Sequence, residues 1–167
     1  MGADQRASGA PEPQLDGTGM RIAVVTARFN AQVTLRLLEG ARRGLHAVGV
    51  ADRDVVEAWV PGAFELALAA TTFARSGAVD AVICLGCVIR GETTHYELVS
   101  GEAAAGIQRT QLDTGVPVLF GAVTTEDLEQ ALARSEPEGG HNLGEEAATA
   151  AVEMAMLVRA IRDGRTG

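Results

Sequence analysis

Lysine is missing altogether: the 14 basic residues of this 167-residue chain are all arginine. Without a lysine amine, a Schiff-base nucleophile, a lysine-held pyridoxal phosphate and a P-loop are all excluded. Basic charge is also outnumbered, since 22 acidic residues bring the formal net charge to −8. No basic stripe is left to neutralise a polynucleotide backbone, which speaks against nucleic-acid binding and for a small ligand. Aromatic residues make up only 4% of a chain that is 47% hydrophobic. The apolar share is mainly Ala, Val and Leu, which favours helices packed closely on a sheet over an aromatic-rich β sandwich. Uncharged apolar runs of 18 residues are absent, and Met1 to Met20 contains no signal-like stretch, so no membrane association and a cytoplasmic location are expected. Only two cysteines occur, Cys84 and Cys87, spaced as C-x-x-C. Side chains three apart in an extended segment face opposite ways, and no nearby Cys or His completes four ligands. Two small apolar strand residues are therefore expected there, with neither a redox pair nor a metal site.

What is present has the order of a single α/β domain. A chain of this length buries roughly 70% of its unfolded surface, enough for one core. Residues Met1 to Gly17 are rich in Gly, Pro, Ala and polar side chains without periodicity and read as a flexible tail, leaving 18–167 as the folded domain. Strands are expected at Arg21–Thr26, Asp54–Val60, Asp80–Ile89 and Val116–Gly121, nearly continuous in apolarity as strands covered on both faces should be. Helical stripes recur at Val33, Leu37, Ala41, Leu45 and Val48, and at Ala147, Ala151, Met154, Val158 and Ile161, and are read as core-facing. A short helix near Glu126–Arg134 precedes a long C-terminal one that begins after Gly139-Gly140-His141-Asn142-Leu143-Gly144 and ends near Asp163-Gly164. The expected architecture is a three-layer α/β/α sandwich on a four-stranded, mainly parallel sheet.

In such a sheet ligands bind beyond the carboxyl ends of the strands. The unusual residues follow the expected strands in turn: Arg28-Phe29-Asn30, Pro61-Gly62-Ala63-Phe64-Glu65, Arg90-Gly91-Glu92-Thr93-Thr94-His95-Tyr96 and Gly121-Ala122-Val123-Thr124-Thr125. The Gly91 to His95 segment at a helix start offers free N–H donors and a favourable dipole to a phosphate. The competing reading is that Thr93 or Thr94 simply caps the helix. Glu92 would repel an anion unless its side chain faces solvent and only its backbone serves. His95, whose imidazole has an unperturbed pKa of about 6.5, is the general acid/base candidate, against a histidine merely hydrogen-bonded in a first turn. His46 and His141 read as structural. Phe29 and Phe64 offer faces on which a flat heteroaromatic could stack, or else plug the core locally. Glu65 accepts from sugar hydroxyls or complements a helix dipole, and the sequence leaves these two tied.

Five linked segments resemble the lumazine synthases in order and spacing: Ala27 to Asn30, Val60 to Leu66, Leu85 to Tyr96, Val116 to Gly121 and Glu129 to Arg134. The resemblance runs from about Gly17 to Ile161. It implies a flavodoxin-like layer arrangement and no cofactor. It further implies that Phe29 stacks on a pyrimidine, that Ala63 and Glu65 meet a ribityl chain, and that Val88 and Ile89 offer main-chain contacts. Glu92 and Thr93 would hold a phosphate together with Arg134 of a neighbouring subunit, Phe120 of the neighbour would close the ring pocket, and His95 would transfer protons. The family is pentameric, some members building icosahedral shells. The loop Ser135 to Asn142, with Pro137, looks slightly longer than in shell formers and favours a free pentamer. One departure stands out: the family reads Asn-Lys-Gly where this chain has Asn142-Leu143-Gly144, so Leu143 cannot donate to the pyrimidine carbonyl. That motivates a rival reading, a catalytically weakened paralogue that binds lumazine- or flavin-like ligands or forms a shell. A flavodoxin-like FMN carrier is disfavoured, because Ala27-Arg28-Phe29-Asn30 is no hydroxyl- and glycine-rich phosphate loop.

Overall fold

The computed structural model describes residues 9–165. Four strands, β1 (Ile22–Ala27), β2 (Val55–Val60), β3 (Ala81–Ile89) and β4 (Val118–Thr125), form one sheet in the order β2-β1-β3-β4. Every pairing is parallel, with Ile22 of β1 opposite Val55 on one side and Ala81 on the other. The helices are α1 (Ala31–Ala47), α2 (Leu66–Arg75), α3 (His95–Thr114), the short α4 (Leu128–Leu132) and α5 (Leu143–Arg162). A parallel sheet needs cover on both faces, and alternation along the strands divides the core accordingly. Ile22, Val24, Ile83 and Leu85 pack with α1 and α5, whereas Ala23, Val25, Val82 and Cys84 pack with α2 and α3. The chain is thus a three-layer α/β/α sandwich, and its sheet is wholly rather than mainly parallel.

Two expectations are corrected by packing. The last strand does not stop at Gly121 but continues to Thr125, paired with Leu85 to Ile89. A Cβ at Gly121 would lie 2.7 Å from the Leu85 side chain and 3.0 Å from the Cys84 carbonyl, so this glycine marks close approach rather than a turn. The core stripe of α5 is also rotated from the expected one. Gly144, Ala147, Ala148, Ala151, Val152 and Ala155 are buried, while Met154 and Ile161 are exposed. The cause is the crossing with α1, where a Cβ at Gly144 would collide with the Leu37 carbonyl and only small side chains fit.

At the amino-terminal side, Leu15 packs against the α1/α5 part of the core and the Gly17 N–H donates to the Val48 carbonyl at 2.7 Å. Core contacts therefore begin inside the segment read as tail, whose residues 1–8 lie outside the described residues.

Candidate functional site at the carboxyl ends of the strands

The chain moves from β1 through α1 to β2 at one edge, then crosses back beneath β1 to β3, so the strand order reverses between β1 and β3. A crevice opens at such a point. There the structure has a cleft of about 750 Å³, within the ordinary range for small-molecule sites. It gathers most of the residues singled out from sequence: Phe29, Ala63, Glu65, Val88, Ile89, Thr93 and His95 all line it, as does Phe64.

Phe29 is presented on a fixed backbone. The Arg28 N–H donates to the Val60 carbonyl at 2.9 Å and the Phe29 N–H to the Pro61 carbonyl at 3.1 Å, tying this turn to the end of β2. Asn30, at φ 58°, is the one non-glycine residue with positive φ among the described residues, and its Nδ2 donates to the Cys87 carbonyl at 3.0 Å on the end of β3. Asparagine tolerates this left-handed conformation better than most residues, and the bond across the switch point holds it there. Between these ties the Phe29 ring stands 71% exposed, and Phe64 across the rim is 59% exposed. Neither is a core plug.

Glu65 ends a 3-10 turn, Ala63–Glu65, and its Oε2 accepts the Gly62 N–H at 3.0 Å. One carboxylate oxygen thus fixes the turn, which leaves the other for a ligand, so the two readings of Glu65 are compatible. Val88 is buried beneath the cleft on the α2/α3 side and Ile89 is half-buried at the strand's end. Cys84 and Cys87 are free, buried and divided between the two faces of the sheet. Burial alone pushes their thiols up to about 12 and about 11.

The start of α3 is the polar end of the cleft. Thr94 takes the N-cap position without a side-chain capping bond, and the Thr93 hydroxyl accepts only a long contact of 3.4 Å from the His95 N–H. The simple capping reading therefore has little support, and the helix start keeps donors for an anion. Glu92, Thr93 and His95 are all exposed, and Glu92 is not among the residues lining the cleft. Tyr96, named in its segment but given no role, also lines it, as do Leu98 and Val99, which were not singled out from sequence. Their signal was available: Leu98 and Val99 lie three and four residues after His95, on the same helix face.

Three candidates lie elsewhere on this subunit. Phe120 is part-exposed on the edge strand β4, Arg134 is hydrogen-bonded through Nη1 to the Gln130 carbonyl just past α4, and Leu143 opens α5 packed against the α1/α5 core. None lines the cleft. Among the described residues no three His, Cys, Asp or Glu side chains gather to hold a metal ion, and no helix is long and apolar enough to cross a membrane.

An all-parallel sandwich with an aromatic-rimmed cleft at its switch point, open at a helix start, defines an α/β protein with a crevice of small-molecule size. A sequence model of the family described as 6,7-dimethyl-8-ribityllumazine synthase matches residues 19–159, and the chain belongs to that family. Membership implies a transferase of riboflavin biosynthesis that acts on small molecules and works as an oligomer.

Proposed function

We propose that this chain condenses 5-amino-6-(D-ribitylamino)uracil with 3,4-dihydroxy-2-butanone 4-phosphate to 6,7-dimethyl-8-ribityllumazine. Forming the carbon–nitrogen double bond releases one water, elimination releases inorganic phosphate, and closing the second ring releases another water. The aminouracil supplies its own amine, so a chain without lysine can still conduct imine chemistry. The observation that carries this reading is the clustering of Phe29, Glu65, Thr93 and His95 around one cleft of suitable size. Phe29 stacks on the pyrimidine, Ala63 and Glu65 meet the ribityl chain, and the backbone of Val88 and Ile89 meets the heterocycle. The backbone at Glu92 and Thr93 holds the phosphate. Arg134 and Phe120 complete the site from the adjacent subunit of a pentamer, which accounts for their distance from the cleft of their own chain.

Holding two reactants in register supplies about 7 to 11 kcal/mol of the barrier, whereas a placed proton shuttle contributes roughly 10²- to 10⁴-fold. Proximity therefore dominates, and His95 accelerates proton transfers within an already assembled pair. Mixing both substrates with the protein and following lumazine fluorescence tests the reading; no product at saturating substrate would reject it.

A second reading is favoured by one residue. Leu143, where the family carries lysine, packs on the core with a side chain that has no donor, as expected of a chain that binds lumazine-like ligands with weakened catalysis. Leu143→Lys decides between the two: a tenfold or greater gain in turnover or substrate affinity supports the weakened form, and no gain removes its motive.

A further inference from the structure

Arg90 follows β3 at the mouth of the cleft and gathers two acids there. Its guanidinium pairs with Glu97, in the first turn of α3, and through Nε with Glu126 at 2.8 Å, beyond the end of β4. It also lies over the Tyr96 ring, 4.3 Å from the centroid. The Arg90 backbone N–H donates to the Thr125 carbonyl at 2.8 Å, so the loop before α3 is fixed to the loop before α4. The pairing holds Glu97 below the usual carboxylate range and keeps the guanidinium charged, each through the hydrogen bond it makes with the other.

Neither carboxylate lines the cleft, but Glu97 lies in the first turn of α3, four residues from Thr93, and Glu126 is joined to it through Arg90, so both are near the helix start at which a phosphate would dock. Left alone they would repel a dianion. We propose that Arg90 sets the affinity of this end of the cleft for a phosphorylated substrate by offsetting one of the two negative charges of Glu97 and Glu126, acting as a positioning residue through the acids it holds. The proposal rests on the reading of the α3 start as the phosphate subsite. At a separation of about one Debye length, roughly 8 Å, in partly solvated protein, loss of that one positive charge beside a dianion weakens binding about five- to tenfold.

The test compares wild type with Arg90→Gln, Arg90→Lys, Glu126→Gln and the Arg90→Gln/Glu97→Gln/Glu126→Gln triple variant, using inorganic phosphate as competitor. In Arg90→Gln the KM for the butanone phosphate and the inhibition constant of inorganic phosphate both rise about five- to tenfold. KM for the aminouracil and kcat change less than about twofold, and the lysine variant and the triple variant recover most of the loss. Glu126→Gln, which loosens the clamp but removes a negative charge, lowers KM for the phosphorylated substrate. A merely structural clamp would raise it, and that result overturns the proposal even if Arg90→Gln fails to fold. Equal rises in both KM values, or no recovery in the triple variant, overturn it too. Failure of inorganic phosphate to compete with the butanone phosphate in wild type would instead remove the phosphate-subsite reading, and the proposal with it.

Discussion

At the scale of single residues, the proposed site divides into groups that line the cleft of one chain and groups, Phe120 and Arg134, that lie away from it. His95 stands on the first turn of α3 facing the cleft with its side chain exposed. In the proposed reaction it moves protons but does not bring the substrates together, so His95→Ala lowers kcat by roughly 10²-fold without abolishing turnover, as single-turnover fluorescence should show. Arg134→Ala removes charged hydrogen bonds to the phosphate and raises KM for the butanone phosphate about ten- to a hundredfold, with a smaller effect on kcat. The cysteines give a contrasting expectation. With thiols pushed up to about 12 and about 11, Cys84 and Cys87 are protonated near neutral pH and shielded from reagents. A disulfide-exchange reagent should find no reactive thiol in the native protein and two after unfolding. Because the folded values lie above the ordinary value of 9.0, the stability tied to the protonated thiols is complete below pH 9 and is lost as pH climbs towards 12. The thermal unfolding midpoint should accordingly fall on the alkaline side of pH 9.

At the scale of elements, the α1–α5 crossing is the tightest constraint on the fold. Asn142 caps α5 by accepting from the Gly144 and Glu145 N–H groups at 2.9 and 3.3 Å, and its Nδ2 donates to the Arg36 and Glu136 carbonyls at 3.1 and 2.8 Å. This side chain is buried and fully partnered, so Asn142→Ala loses a cap and strands two carbonyls, a destabilisation of about 2 to 4 kcal/mol in urea unfolding. Gly144→Ala drives a methyl into the Leu37 carbonyl and costs about 1 to 3 kcal/mol or more. A Gly144→Ala variant as stable as the parent would show that the helices have room to separate. These elements also show what the sequence could and could not disclose. Strands β1, β2 and β3 were legible because runs of six to nine mostly apolar residues suit a doubly covered sheet. The stripe of α5 was not, because periodicity ranks Met154 and Ile161 above alanine as core, whereas close backbone approach at Gly144 selects the small residues. The end of β4 was misread for the same reason, a glycine serving contact rather than a turn.

At the scale of the molecule, the cleft of one chain gathers only part of the proposed site. The loops after β1, β2 and β3 were legible as one rim from the rule of the switch point, and their residues do converge. Phe120 and Arg134 could be assigned only by resemblance, since nothing in periodicity or spacing singles them out. If activity belongs to the assembled pentamer, dilution below its dissociation constant should lower specific activity in step with the loss of the oligomer by sedimentation. A fully active monomer would contradict this.

The shared site itself is tested most directly by mixing subunits. His95→Ala and Arg134→Ala damage opposite halves of a site formed between neighbours, so co-assembled equal mixtures contain about a quarter of sites with both residues intact. Activity should rise towards about that fraction of wild type under substrate concentrations at which each variant alone is nearly silent. Activity no greater than the average of the two separate variants, in oligomers shown to be mixed, would mean that both residues serve the same subunit's cleft or none, and would contradict the account.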